Sequence, residues 1–178
     1  MGTINNSYPN GFTFLTSTEI TNKELEQHGI YYCHHHDTAG ICFPFYLGGA
    51  LVGFQVRYLS GERRYHIQGD KLQMSLSTLS NHGQGLPLIF VEDILSCIKV
   101  SRQFPCVCLF GSHVPLELVL RCLPDFKSFA IWLDPDKKKE AVLQALKLKS
   151  KGIDIRAIIT EDKDPKHLDN ERIKNAII

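Results

Sequence analysis

The sequence predicts an α+β chain in which an N-terminal antiparallel meander subdomain precedes an α/β domain with a central, mainly parallel sheet. Short apolar stretches separated by glycine turns run through the first half, which is typical of antiparallel strands. In the second half, apolar stretches alternate with helical patterns, which indicates parallel strands joined by crossover helices. We expect an arm over residues 1–20, the meander subdomain over 21–85 and the α/β domain over 86–178.

A short helix and four strands are predicted in the meander subdomain. Thr21, followed three residues later by Glu24, forms a capping box, and it opens a helix that Gly29 can end. The polar, serine-rich segment 72–85 is predicted to be a connection between the two parts of the chain. The predicted strands cover residues 30–33, 41–46, 51–58 and 63–67.

Four strands and four helices alternate in the predicted α/β domain. The third strand, residues 129–133, is apolar along its whole length, as expected for a strand that is covered on both faces. The helix after it has an apolar stripe with lysines around it. The predicted strands cover residues 86–91, 106–110, 129–133 and 154–160, and the predicted helices cover 94–102, 115–121, 137–149 and 169–177.

The composition is that of a globular chain whose charge gives no general affinity for polyanions. The 178 residues are 43% hydrophobic and 22% charged, with a formal net charge of +1 at pH 7. Any site for nucleic acid must therefore be a local basic patch. No stretch reaches the roughly 18 consecutive apolar residues that a membrane span needs, and the N-terminus lacks the pattern of a signal peptide. We expect a cytoplasmic protein without a membrane partner.

Carboxylates cluster at the predicted carboxyl ends of three parallel strands. Ligands of open α/β sheets bind at this edge, and carboxylates that converge there repel one another unless a cation neutralises them. Oxygen-only ligands favour Mg²⁺, with Mn²⁺ as an alternative, and such ions mostly serve phosphate chemistry. Asp134-Pro135-Asp136 is also compatible with a simple helix start. The acidic residues are Glu92, Asp93, Asp134, Asp136, Glu161, Asp162 and Asp164.

The cysteines and histidines give no comparable signal for a metal. The six cysteines include no two C-x-x-C pairs at zinc-finger spacing, so we expect reduced structural thiols and no zinc in this chain. His34, His35 and His36 are consecutive, and successive residues of a strand point to opposite faces. This run is therefore predicted to be a set of surface histidines.

Several short motifs, in this order and spacing, resemble the Toprim domain and the subdomain that precedes it in DnaG-type primases, especially in phage primase-helicases. The Toprim motifs are an acid after the first strand, an Asp-x-Asp pair after the third and an Asp-Pro step after the fourth. The upstream motifs are an "FP" strand, a strand that ends in arginine and a basic-Tyr pair. They correspond to Glu92, Asp134-x-Asp136, Lys163-Asp164-Pro165, Phe43-Pro44-Phe45, Leu51 to Arg57 and Arg64-Tyr65.

This resemblance covers roughly residues 15–178 and implies roles for individual residues. Glu92, Asp134 and Asp136 would coordinate the catalytic Mg²⁺, with Asp164 as a fourth metal ligand. The basic residues expected to contact nucleotide or DNA phosphates are Arg57, Arg63, Arg64, Lys137 and Lys163. Two motifs depart from the family pattern, because Glu92 is followed directly by Asp93 where Glu-Gly-x-x-Asp is usual, and Asp136 is followed by three lysines.

The implied activity is synthesis of short RNA primers on a single-stranded DNA template from nucleoside triphosphates. The implied partners are a replicative helicase or a separate zinc-binding module, in a bacterial cytoplasm if the chain is phage-encoded. Two alternatives remain open at this point. The same metal site could cut phosphodiester bonds as a nuclease, or the fold could bind single-stranded DNA or a helicase without catalysis.

Overall fold

The fold was determined as a computed structural model, which describes residues 15, 17–62, 64–80, 85–161 and 163–178. It confirms the predicted fold class, because an antiparallel four-stranded sheet is followed by a parallel four-stranded sheet with helices. Two compact units are present, one ending at Ser77 and the other beginning at Thr78. Most of the predicted arm, residues 1–14 and 16, lies outside the described residues.

The first unit is built on an antiparallel meander of four strands in sequence order. Helix α1, Asn22–Gln27, precedes the sheet, and the predicted capping box is present at its start. The Thr21 backbone N–H donates to the Glu24 carboxylate at 2.8 Å, and the Glu24 N–H donates to the Thr21 hydroxyl at 3.2 Å. The strands are β1, Tyr31–His35, β2, Thr38–Leu47, β3, Ala50–Tyr58, and β4, Tyr65–Gly69.

The segment predicted as a connection instead begins with a helix, α2, Lys71–Ser77, so that prediction was wrong over residues 72–77. The helix forms because Asp70 accepts a hydrogen bond from the backbone N–H of Gln73 and because Met74 is fully buried. A single buried methionine in a polar segment is too weak a periodic signal to predict a helix.

Gly53 brings β3 close to β4 and to α2. A Cβ at this position would lie 2.6 Å from the carbonyl oxygen of Gln68 and 2.5 Å from the sulfur of Met74. We expect Gly53→Ala to destabilise the first unit by about 1–3 kcal/mol, because the backbone carbonyl cannot turn away from the new methyl group. Urea unfolding followed by circular dichroism measures this, with the exposed Ser60→Ala as control. Equal unfolding midpoints for the two variants would contradict the close packing.

The second unit contains a four-stranded parallel sheet whose strands, numbered along the chain, lie in the order second, first, third, fourth. The first three strands along the chain are fully buried, and Phe90 stacks on Phe129 with ring centroids 5.8 Å apart. The strands are β5, Leu88–Val91, β6, Cys106–Cys108, β7, Phe129–Trp132, and β8, Ile155–Ala157. The helices are α3, Ile94–Val100, α4, Leu116–Cys122, α5, Lys138–Lys149, and α6, Asn170–Ile177, with 3₁₀ turns at Pro135–Lys137 and Pro165–His167.

The first residues of the second unit are attached to the parallel sheet through its edge strand β6. The Thr78 hydroxyl accepts a hydrogen bond from the Cys108 N–H, and the Ser80 hydroxyl accepts one from the Cys106 N–H. Because β5 and β7 are the two central strands and run in the same direction, their carboxyl ends lie side by side at one edge. Among the described residues, no helix has the length and apolar character needed to cross a membrane.

Candidate metal centre

The two central strands of the parallel sheet carry the principal predicted acids. Val91 at the end of β5 pairs with Trp132 at the end of β7, so Glu92 and Asp134 follow neighbouring strands at the same edge. The backbone of Glu92 is held by the loop after β6, since its carbonyl accepts a hydrogen bond from Gly111 N at 3.1 Å. The pairing of β5 with β7 therefore fixes the backbone positions from which the Glu92 and Asp134 side chains extend.

The side chain of Asp134 is not used to cap the turn that follows it. Asp134 occupies the position before Pro135 in the 3₁₀ turn, but it makes no side-chain capping hydrogen bond within the described structure. The alternative that Asp134-Pro135-Asp136 serves only to start a helix therefore loses its main physical support. Asp164 stands in the same relation to Pro165 and also makes no capping bond to the turn that it precedes.

Asp93 does cap a helix. Its carboxylate accepts hydrogen bonds from the backbone N–H groups of Leu95 and Ser96 at 3.0 and 3.1 Å, and from the Ser96 hydroxyl at 2.8 Å. These bonds satisfy free N–H groups in the first turn of α3. The helix thus holds one carboxylate beside Glu92.

Lys166 joins three of the carboxylates. Its ammonium nitrogen lies 2.6 Å from Asp164, 3.2 Å from Asp93 and 3.8 Å from Asp134. Burial alone would lower the pKa of Lys166, but the surrounding carboxylates outweigh that effect and the pKa is raised. Lys166 is therefore held as a cation within the acidic cluster.

Two buried carboxylate oxygens at this edge lack a hydrogen-bond partner among the described residues. Glu92 Oε2 and Asp134 Oδ1 are buried, and neither has a hydrogen-bond partner among the described residues. Burial raises the pKa of Glu92, and the charges of Asp136 and Asp93 raise it further. The pKa of Asp134 is raised to about 7, first by burial and then by neighbouring carboxylates, against the opposing effect of Lys166. A buried carboxylate oxygen without a hydrogen-bond partner is costly, so these two oxygens favour a cation or a proton beside them.

The donor atoms fit a hard divalent cation. Within the described part of the chain, no three His, Cys, Asp or Glu side chains are already grouped as a metal-binding set. Mg²⁺ nevertheless commonly binds one or two carboxylates and completes its coordination with water and substrate phosphates. The partnerless oxygens of Glu92 and Asp134 supply such a pair. We therefore regard these residues as able to hold Mg²⁺.

The other predicted ligands lie close to this pair or to Lys166. Asp136 is exposed in the turn after Asp134, and its charge acts on Glu92. Asp164 contacts Lys166 directly. Of the remaining acids from the sequence pattern, Glu161 is exposed and 162 lies outside the described residues.

The predicted phosphate-binding residues are divided between the units. Lys137 is partly buried in the turn after Asp134. Its positive charge lowers the pKa of Glu92, against the larger effects that raise it. Lys163 is exposed, and its carbonyl accepts a hydrogen bond from the Thr160 hydroxyl. In the first unit, Arg57 lies in β3 and Arg64 directly precedes β4, where its carbonyl pairs with Tyr58 N. Residue 63, the third predicted arginine, lies outside the described residues.

Sequence reasoning missed Lys166 and did not assign a role to Asp93. The signal for Lys166 was present, because Asp164-Pro165 is the same Asp-Pro step as Asp134-Pro135 and predicts a tight turn. That turn brings the residue two positions after Asp164 back toward its carboxylate. The signal for Asp93 was its position directly before an apolar helical pattern, which is that of an N-cap.

We expect Asp134→Asn to stabilise the metal-free protein at pH 8. The folded-state pKa of about 7 lies above the unfolded value of 3.8, so the folded protein binds this proton more tightly. Ionisation of Asp134 therefore lowers stability progressively as the pH rises from about 4 to 7. The gain on substitution should be on the order of 2 kcal/mol at pH 8, less than the whole pKa shift would give, because the carboxylate is 24% exposed and solvent screens part of the effect.

Thermal unfolding in chelator between pH 5 and 8 measures this effect. The stability difference between Asp134→Asn and wild type should grow with pH and level off above pH 7. The exposed Asp154→Asn is the matched control and should show no such growth. A pH-independent difference for Asp134→Asn would show that burial of this carboxylate carries no electrostatic cost.

The fold is a four-stranded meander followed by a parallel sheet whose central strands end in acids, and solved structures of primases share this fold. The chain is similar to the primase fragment of the bacteriophage T7 primase-helicase, with a TM-score of 0.67 and 14% identity over 92% of this chain and 73% of that one. It is also similar to the Aquifex aeolicus primase zinc-binding and RNA polymerase domains, with a TM-score of 0.59 and 16% identity over 96% of this chain. It spans 49% of that Aquifex chain.

A third similar structure contains the bacteriophage T7 lagging-strand DNA polymerase with primase domains bound to an RNA/DNA hybrid and dTTP. The TM-score is 0.62 and the identity 16%, over 92% of this chain and 89% of that one. No protein-family model matches the sequence, and no curated protein matches it. At 14–16% identity, the structural similarity shows the fold.

Proposed function

We propose that the chain is the catalytic core of a DNA-directed primase, which makes short RNA primers on single-stranded DNA by nucleotidyl transfer from nucleoside triphosphates. One observation carries the proposal. Glu92 and Asp134, on neighbouring central strands of a primase-type fold, each keep a buried carboxylate oxygen that no described residue satisfies. Such a pair suits a divalent ion that also binds substrate phosphate.

The proposed metal ligands are Glu92, Asp134 and the exposed Asp136. Asp164, the fourth ligand that the sequence predicts, contacts Lys166 at 2.6 Å instead. When bound, Mg²⁺ would supply charge neutralisation at the reacting phosphate and would lower the pKa of the attacking 3′-hydroxyl. The chain's own contribution is to hold one carboxylate after each of two neighbouring strands, each with a buried oxygen. Because these groups are organised before substrate binds, little reorganisation is needed during reaction.

Basic side chains supply the remaining contacts in this proposal. Lys137 lies one residue from Asp136 and can contact a nucleotide phosphate as a point charge. Arg57, Arg64 and Lys163 are proposed to bind the template backbone or the triphosphate, since arginine pairs well with phosphate oxygens. Affinity for DNA that depends on such contacts should fall with increasing salt.

The similar T7 structure is the primase fragment of a primase-helicase, and the similar Aquifex structure contains a zinc-binding domain. We therefore propose a replicative helicase or a separate zinc-binding module as partner. Such a module would read the template start site. The chain by itself would then extend an existing primer more readily than it starts one.

The test uses labelled nucleoside triphosphates, single-stranded DNA and Mg²⁺ or Mn²⁺, with a second template that already carries a short annealed RNA. Template-dependent growth of labelled RNA supports the proposal. The annealed RNA removes the need for a start-site reader, so failure on both templates would contradict nucleotidyl transfer. Degradation of the template in the same reaction would indicate a nuclease.

A non-catalytic replication module is the second candidate, and Lys166 is the observation that favours it. This lysine already contacts Asp93, Asp134 and Asp164 and supplies a positive charge to the cluster. A protein that had lost catalysis could use such an ion-pair network to keep its fold without metal. In that case DNA binding would persist without either RNA synthesis or template cleavage.

A further inference from the structure

Lys166 is positioned as part of the acidic cluster and not as a surface lysine. Its side chain is 18% exposed, and its ammonium group lies within 4 Å of three carboxylates. The shortest of these contacts, to Asp164, is 2.6 Å. An ion pair of this length that is largely removed from solvent is screened much less than one at the surface.

The local fold fixes the position of Lys166. Pro165 is buried and begins a 3₁₀ turn that packs against α3, the helix that Asp93 caps. Leu168, just after the turn, is also buried. The lysine is therefore anchored on both sides by apolar contacts, and its ammonium group has only a limited range of positions.

The carboxylate oxygens of the cluster fall into two groups, according to whether they contact Lys166. Asp93 and Asp164 each give an oxygen to Lys166 at hydrogen-bond distance. By contrast, Glu92 Oε2 and Asp134 Oδ1 are buried oxygens that have no hydrogen-bond partner among the described residues. Asp134 contributes to both groups, because its other oxygen, Oδ2, lies 3.8 Å from the ammonium nitrogen.

We propose that Lys166 is a positioning residue that acts as a built-in cation: it takes the place of a divalent ion between Asp93 and Asp164 and restricts metal binding to the side of Glu92 and Asp134. This inference rests on the proposed metal site. An ammonium group among three carboxylates lowers the negative charge available to a second ion and repels any divalent ion beside it. The site accordingly binds fewer divalent ions than its number of carboxylates would allow.

A purely structural role makes a different prediction. If Lys166 only ties the 165–167 turn to α3, its removal would lower stability and leave the number and affinity of bound metal ions unchanged. If it occupies a cation position, its removal frees Asp93 and Asp164 for a metal. Counting bound ions separates these two roles, whereas a loss of activity would fit both.

The experiment titrates Mn²⁺ and follows the free-ion signal by electron paramagnetic resonance. Lys166→Met should bind an additional Mn²⁺ or bind Mn²⁺ at least tenfold more tightly than wild type. Lys166→Arg, which keeps the charge, should behave as wild type. Lys174→Met removes an exposed lysine from α6 and is the matched control. Equal Mn²⁺ binding by Lys166→Met and Lys174→Met, or no binding by any variant, would overturn the inference.

Removing one partner of an ion-pair network can prevent folding, so a second pair of variants keeps the test decisive. Asp164→Asn is compared with the double variant Asp164→Asn/Lys166→Met, which removes one charge of each sign. The double variant should bind Mn²⁺ at least tenfold more tightly than the single one, and equal affinities would contradict the inference. Primer synthesis by wild type is scored separately, so gained Mn²⁺ binding without synthesis would count against the proposed function alone.

Discussion

Glu92→Gln is expected to reduce Mg²⁺-dependent primer synthesis by about 10²- to 10³-fold, the cost of removing one group that acts on developing charge in an active site. The amide keeps the size of the side chain but cannot supply the negative oxygen. Glu92 Oε2 is one of the buried oxygens that have no hydrogen-bond partner among the described residues, so its loss should directly weaken metal binding. Initial rates on a primed template, at saturating nucleotide, measure the effect.

The same substitution should leave the metal-free fold as stable as wild type or more stable. Burial and the charges of Asp136 and Asp93 raise the pKa of Glu92, which means that the ionised carboxylate is disfavoured where it lies. A neutral amide avoids that cost. Lost activity together with retained or increased stability is the signature of a residue kept for function.

Glu117→Gln is the matched control for Glu92→Gln. Glu117 lies in α4, its side chain is 63% exposed, and it pairs with Arg121 at 3.6 Å. An exposed pair of this kind contributes about 0–1 kcal/mol, so this variant should keep wild-type activity and nearly wild-type stability. If Glu92→Gln kept full synthesis, Glu92 would have to be removed from the proposed site.

The sequence is sufficient to predict the fold class and the edge at which the acids meet. Fully apolar short stretches such as Phe129–Trp132 are typical of strands covered on both faces, and strands that alternate with helices are typical of a parallel sheet. Once the strands are parallel, Glu92 and Asp134 must fall on one edge. This part of the candidate site follows from local patterns and a general rule of chain topology.

The remainder depends on tertiary contacts that no local pattern encodes. Lys166 lies in a hydrophilic segment, and only the packing of its turn against α3 brings it to Asp93, 73 residues earlier in the chain. Helix α2 was missed for a related reason. Met74 is its one fully buried apolar residue, and the side chain of Met74 packs against Gly53 of strand β3. Residues whose surroundings come from distant parts of the chain escape prediction from periodicity.

Trp132 connects the core of the second unit to the loop that carries Asp164 and Lys166. It is fully buried at the end of β7, and its indole N–H donates to the Thr160 hydroxyl at 3.2 Å. That hydroxyl donates in turn to the carbonyl of Lys163 at 3.0 Å. Core packing and loop position are thus coupled through one side chain.

Trp132→Ala is therefore expected to destabilise the second unit by about 3–5 kcal/mol, the usual cost of truncating a buried tryptophan. Because the chain has two units, hydrogen exchange of amides in β5 and β7 is a better measure than one melting temperature. Trp132→Phe and Thr160→Val each remove the hydrogen bond while keeping most of the bulk, and each should cost only about 1 kcal/mol. If Trp132→Ala cost no more than those two variants, the hydrogen bond and not core packing would be the main contribution of this residue.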